Sequence, residues 1–260
     1  MKKKQMTRKK TPVISSERAE NIYRLLIRSK LEASDLTIIK NNESQYLEIL
    51  NEALTHTSKS LSINHERLEF HGDAVLRLAA TEYIQANFPS LKVGERSALR
   101  AQLVSDEWLA KIGKRIGITE SMLIAPKSLK DIAAKETICA EGTEALIGAL
   151  YECLKSIESI HLWLKTYWDK ESKEILADPY KQNAKSALQE WSQSQGFNQP
   201  IYEVEEISKQ HGDTKRFYCK VIIQNDSFGE GWGSSRKKAE KEAAKTALNN
   251  LKTKLSQDLL

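Results

Sequence analysis

Nowhere in this chain of 260 residues do apolar residues run on for the roughly 18 positions that a membrane span needs. The basic opening, MKKKQMTRKK, leads into the polar TPVISSERAE rather than into the apolar stretch of a secretion signal. A chain without membrane contact, working in the cytoplasm, is expected. Cysteine is scarce as well. Cys139, Cys153 and Cys219 are odd in number, far apart and without CxxC spacing, so neither a disulfide framework nor a zinc site is indicated. They read as small buried hydrophobes. Internal repeats are missing, and low complexity is confined to the basic start and the polar end, LKTKLSQDLL.

What is present is ordinary globular composition, 40% hydrophobic and 29% charged, which excludes a natively disordered chain. The length favours two folding units. A net charge of +5 and a pI of about 8.9 favour a polyanionic partner without demonstrating one. Six basic residues crowd the first ten with no acid among them. Residues 1–15 are therefore expected as a solvated, disordered tail, with nonspecific phosphate contact as the sharper reading.

From Ser16 to about Lys170 apolar residues recur at spacings of three and four, as in AENIYRLLI, YLEILNEAL, LRAQLVSDEWLAKIG and AEGTEALIGALYECL. With breakers at Pro89-Ser90, Gly94 and Pro126, this is an all-α domain, bounded at 16–155, followed by a helical extension and linker over 156–178. Asp178-Pro179 marks a boundary, because the residue before proline is pushed out of helical geometry. Residues 179–253 then read as helix (KSALQEWSQSQG), strands around IYEVEEIS, RFYCKVIIQ and SFGEGWGSS with turns at HGD and QND, and a helix from Lys237 to Leu251. That is a small α-β-β-β-α unit, with 254–260 as a tail.

The densest chemistry lies in HERLEFHGDAVL, where Glu66, Glu69 and Asp73 fall three and four apart and share one helix face. Like charges so placed cost about a few tenths of a kcal/mol per pair on an exposed surface, so a cation is expected among them. The bland alternative is a solvated face screened by Arg67. Gly72 in this helix costs about 1 kcal/mol of propensity and so implies a close neighbour. Glu141 and Glu144 form a second pair, three apart in the strongly apolar ICAEGTEALIGALY. Carboxylates there are costly to bury unless a cation or a watery cleft receives them. If the two helices pack together, four carboxylates converge. Acids without His or Cys suit hard cations, Mg2+ or Mn2+, which activate water and stabilise a leaving oxygen. In the second unit, Arg236, Lys237 and Lys238 open a helix where the dipole disfavours cations. Phosphate is their natural partner, and a solvated charge run is the alternative.

Glu66 to Leu76 resembles the hallmark ERLEFLGDAVL of the ribonuclease III family, apart from His71. The resemblance continues through ALTHTS (Ala53 to Ser58), Leu99 to Gly113 and KETICAEGTEALIGALY (Lys135 to Tyr151). The second unit, with KSALQE in its first helix and GEGWGSSRKKAE entering its last, resembles the double-stranded-RNA-binding domain. The resemblance implies an endoribonuclease that cuts double-stranded RNA in line with metal-activated water. The products would be 5′ phosphate and 3′ hydroxyl ends at staggered cuts, and the substrates ribosomal-RNA precursors and other structured transcripts. It places metal on Glu69, Asp73, Glu141 and Glu144, with Asp73 and Glu144 catalytic, Mg2+ as cofactor and Mn2+ able to substitute. It implies a homodimer with Phe70 reaching into the partner. It brings Gln189 and Glu190 to a minor groove and Arg236, Lys237 and Lys238 to phosphates.

Departures from the family pattern are Glu141 for the usual Asp, Thr143 for an aromatic or aliphatic residue, His71 for Leu as a packing residue, and Val93 for an acid, with Glu95 two residues on. In the QHGDTKRF turn, Asp213 stands where the family has histidine, with His211 two residues earlier. Trp191, Phe197, Tyr202 and Trp232 read as core rather than base-stacking residues. The rival reading is a non-catalytic double-stranded-RNA-binding protein. The family acids all remain carboxylates, which favours the enzyme. A third reading, an all-α phosphohydrolase of small molecules, leaves the C-terminal unit unexplained.

Overall fold

A computed structural model describes residues 14–129, 132–177, 180–210 and 213–257. Contacts divide the chain into two compact units, Met1–Trp168 and Asp169–Leu260. The expected boundary at Asp178-Pro179 and most of the basic tail lie outside the described residues.

Among the described residues the regular elements of the first unit are helices: α1 (Ser16–Arg28), α2 (Ala33–Asn41), α3 (Glu43–Ala53), α4 (Glu66–Asn87), α5 (Val93–Leu103), α6 (Asp106–Ile116), the short α7 (Ile118–Ser121), a 3-10 turn at Pro126–Leu129, α8 (Ile132–Leu154) and α9 (Ile157–Ala177), which crosses the unit boundary. The stretch LRAQLVSDEWLAKIG, read as one periodic run, is two helices. Ser105 accepts from the Trp108 N–H at 3.3 Å and restarts the chain as α6, with Asp106 and Glu107 on its positive end. Gly117 ends α6 in the left-handed region at φ 82°, after Lys114 and Arg115.

α8 is the central helix. Ala145, Leu146, Ile147, Ala149 and Leu150 are wholly buried, as expected of a helix apolar on most sides. α4 lies against it, burying Leu68, Leu76, Ala79 and Ala80. Two glycines set the distance between them. A β-carbon on Gly72 would fall inside contact distance of the Glu144 carbonyl, and one on Gly148 would strike the Leu68 carbonyl. This is the close neighbour that Gly72 implied. The indoles of Trp163 and Trp168, both buried, donate to the carbonyls of Ser29 at 2.7 Å and Leu103 at 3.1 Å.

The second unit has the expected order: α10 (Tyr180–Ser194), β1 (Ile201–Glu206), β2 (Phe217–Ile223), β3 (Asp226–Gly233) and α11 (Arg236–Gln257). The strands form an antiparallel sheet in the order β1-β2-β3, with a register shift between Val221 and Ile222. Gln224 and Asn225, with φ of 50° and 71°, make the two-residue turn between β2 and β3. Gly229, Gly231 and Gly233 alternate along β3 and let α11 lie directly on the sheet, against Ala239, Ala243 and Ala247. α11 runs on to Gln257 rather than stopping at Leu251. Trp191, Phe197 and Tyr202 pack on this core, but Trp232 does not: it is 44% exposed on the other side of β3, against Tyr218. The three cysteines are free and buried. Among the described residues no helix is long and apolar enough to cross a membrane.

Candidate functional site

The segment before α4 is stapled to the rest of the unit by its backbone. Leu123 donates to the Leu54 carbonyl at 2.8 Å, His56 donates to the Leu123 carbonyl at 3.0 Å, and His65 donates to the Thr55 carbonyl at 2.9 Å. His65 is the cap residue of α4 and Glu69 lies one turn into the helix. The Arg67 guanidinium points to Glu52 and Glu152, at 2.9 and 2.8 Å, so it screens none of the hallmark acids. The cation beside them is Arg77, whose Nε donates to Asp73 at 2.7 Å.

Glu69 and Asp73 from α4 meet Glu141 and Glu144 from α8 in an open cleft of about 660 Å³, which His56 and His65 also line. All four carboxylates expected from the sequence therefore come together. A larger hollow of about 810 Å³ among α1, α2 and α3 has a mainly apolar lining and no such convergence of acids. Burial, then Asp73 and Glu69, pushes the Glu144 carboxyl up to about 8. Burial and then Glu141 raise Glu69. Glu141 is held below the usual carboxylate range by its hydrogen bond to His65. Burial opposes protonation of His65, but hydrogen bonds to Glu141 and Thr55, with the charge of Glu69, outweigh it and raise the ring. A carboxyl that keeps its proton near neutral pH because it is buried beside two others marks a site short of positive charge. The four carboxylates offer a donor set of oxygens that fits a hard divalent cation.

His56, His65 and Arg77 were not singled out from the sequence. Yet His65, Glu69, Asp73 and Arg77 follow at intervals of four, one stripe on α4, and that spacing was available.

In the second unit Gln189 and Glu190 are exposed on α10, and Arg236, Lys237 and Lys238 are exposed in the first turn of α11. Ser235 accepts from the Lys238 N–H at 3.3 Å and caps that helix. Lys185 of α10 pairs with Glu240 of α11 at 2.5 Å, tying the two helices together.

Residues 47–157 match the model described as "Ribonuclease-III-like", and residues 184–251 match "Double-stranded RNA binding motif". Ribonuclease 3 of Prochlorococcus marinus is 72% identical over 92% of this chain and 96% of its own length. This chain belongs to the ribonuclease III family. Ribonuclease 3 2 of a Nostoc species is 40% identical over 77% of this chain and 83% of its own length. A crystal structure of the nuclease domain of ribonuclease III from Campylobacter jejuni is 30% identical over 57% of this chain and 96% of that one, with a TM-score of 0.46.

The departures from the ribonuclease III pattern have structural settings. Glu141 reaches His65 Nε2 at 3.4 Å. His71 packs edge-on against Tyr151, as a packing residue would. Thr143 is buried and donates to the Cys139 carbonyl at 2.7 Å, an internal partner that an aliphatic residue would not need. Val93 is exposed, while the Glu95 carboxylate accepts from the Lys92 N–H at 2.7 Å and caps α5. Asp213 accepts from the Lys215 N–H at 2.8 Å inside its turn; His211 lies outside the described residues.

Proposed function

We propose that the chain is a divalent-metal-dependent endonuclease that cuts double-stranded RNA, leaving 5′ phosphate and 3′ hydroxyl ends at staggered positions. The observation that carries this reading is the convergence of Glu69, Asp73, Glu141 and Glu144 in one cleft, where burial and then its neighbours Asp73 and Glu69 push the Glu144 carboxyl up to about 8. These four side chains would hold Mg2+ or Mn2+, and Asp73 and Glu144 are the residues assigned to catalysis. A bound ion supplies activated water and charge for the departing 3′ oxygen. The chain's own part is to bring the carboxylates together, to keep the cleft open to a duplex, and to offer Arg77 as a cation beside Asp73. The second unit delivers the duplex: Arg236, Lys237 and Lys238 to phosphates, Gln189 and Glu190 to a minor groove, recognising A-form shape rather than sequence.

The active form is a homodimer. Phe70 is 84% exposed and Leu78 51% exposed, two turns apart on α4, a costly display for a monomer. Two-fold symmetry would set two such clefts on one duplex, as staggered cutting of both strands requires. Structured transcripts in the cytoplasm, precursors of ribosomal RNA among them, are the substrates this reading expects. The test is incubation of a long RNA duplex with wild type and Glu144→Gln, with Mg2+ or with EDTA, following cleavage and gel retardation. Short duplex products from wild type with metal only, and retained binding by the variant, are expected. Retardation without cleavage under any divalent ion makes the chain a binding protein instead.

A further inference from the structure

An all-carboxylate centre leaves His65 without a purpose, and this histidine is nearly sealed, at 2% exposure. Its Nδ1 lies 3.3 Å from the Thr55 carbonyl oxygen. A carbonyl only accepts, so Nδ1 carries the hydrogen. The other nitrogen, Nε2, faces the carboxylates of Glu69 at 3.3 Å and Glu141 at 3.4 Å. A ring whose far nitrogen donates to a backbone carbonyl, while its near nitrogen faces carboxylate oxygens, is oriented as metal-ligating imidazoles are. The spacing agrees, since neighbouring donors around an octahedral ion with bonds near 2.1 Å lie about 3 Å apart.

His56 is a different case. The ligand atoms of His56, His65 and Glu141 all lie within 4.8 Å of one another. However, His56 Nδ1 accepts from the Ser58 N–H at 3.1 Å, so in the neutral ring Nε2 bears the hydrogen. His56 stacks on His65 with ring centroids 5.2 Å apart and 14° between planes, walling it in rather than competing for an ion. Glu141 is one methylene longer than the family's usual aspartate. That length, about 1.5 Å, is what brings its carboxylate within 3.4 Å of Nε2.

We infer that His65 Nε2 is a ligand of the divalent ion held by Glu69 and Glu141, and that it makes this centre prefer Mn2+ to Mg2+. The inference rests on the reading of the acidic cleft as the metal centre. Mg2+ takes oxygen donors and keeps its waters, whereas later divalent ions gain affinity from imidazole nitrogen. The Nε2 proton passes to solvent when the ion takes its place.

The test uses the full chain loaded with Mn2+, unlabelled and with 15N-histidine, read by pulsed electron paramagnetic resonance, with calorimetric titration of Mn2+ and Mg2+. A directly bound nitrogen that changes isotope with the label is expected in wild type and in His56→Gln. It is lost in His65→Gln, which binds Mn2+ at least tenfold more weakly while its Mg2+ affinity changes less than threefold. If His65→Gln does not fold, the labelled wild type and His56→Gln still decide. Among the described residues, His71 and His161 do not line the cleft. Absence of nitrogen coupling in wild type, or its loss in His56→Gln alone, overturns the assignment. Binding of Mn2+ by oxygen alone together with RNA cleavage overturns only this inference. Failure to bind either ion overturns the metal centre itself.

Discussion

Replacing Gly72 by alanine sets two effects against each other, and the structure says which wins. In an exposed helix the change would stabilise by about 1 kcal/mol through propensity alone. Here the new β-carbon meets the Glu144 carbonyl, with the Gly148 backbone also within reach. Both obstacles are backbone within a helix, so no side chain can swing aside. Restoring van der Waals distance requires α4 and α8 to part by about 1 Å or more. Overpacking of this kind costs about 1–3 kcal/mol when side chains can adjust, and backbone against backbone belongs at the upper end. The net effect is a destabilisation of about 1–2 kcal/mol, a fall in Tm of roughly 2–8 °C for a unit of this size. Parting these helices also draws Glu144 away from Asp73, and a misplacement of about 1 Å in a reacting centre can cost about 100-fold in rate. Thermal unfolding by far-ultraviolet circular dichroism, alongside duplex cleavage, reads both. Gly94→Ala is the control, since nothing lies within 4 Å of its β-carbon, and it should be neutral or slightly stabilising. A Gly72→Ala protein as stable as wild type and fully active would refute the close approach of the two helices.

Glu144 should make metal-free stability depend on pH. Its unfolded value is near 4.5 and its folded value about 8, so the fold binds the extra proton and stability falls as pH rises across that window, levelling above it. In EDTA, wild type should lose Tm between pH 5 and 8 relative to Glu144→Gln, and saturating Mg2+ should remove the difference; parallel curves in EDTA would contradict it. Alanine at Arg236, Lys237 and Lys238 together should weaken duplex binding uniformly across sequences and lower the slope of log affinity on log salt by up to about 3, and an unchanged slope in a salt titration would remove these residues from the interface. Phe70→Ala should raise the dimer Kd by about 30-fold, the equivalent of about 2 kcal/mol for a hot-spot aromatic, without lowering monomer Tm; an unaltered dimer in sedimentation velocity would exclude Phe70.

The fold was largely legible because each unit carries its own period. Spacings of three and four mark α1, α3 and α8, and the alternation of β2 and β3 around Gln224-Asn225 marks a hairpin. What periodicity misread was punctuation. LRAQLVSDEWLAKIG keeps a helical spacing across Ser105, and only the serine's cap bond to Trp108 shows that the helix restarts there. Trp232 was misplaced because alternation alone does not say which face of β3 is inward. The glycines at 229, 231 and 233 do, since the helix lies on their side.

In the site, local spacing carried part of the answer and tertiary register the rest. Arg67, the cation nearest the acids in sequence, sits around the helix from them and is spent on Glu52 and Glu152. Arg77, four residues after Asp73, is the one that pairs, and a helical period predicts it. His65 stands four before Glu69 on the same stripe, so that contact was readable too. Its contact with Glu141 was not. It depends on how far α4 stands from α8, which Gly72 and Gly148 set through backbone contact, and on the loop that Leu54 and His56 staple to Leu123. An aspartate at 141 on the same backbone would leave its carboxylate about one bond length short of His65. Glu141 is thus fitted to its histidine, and two residues that look unrelated in sequence, 76 positions apart, describe one contact.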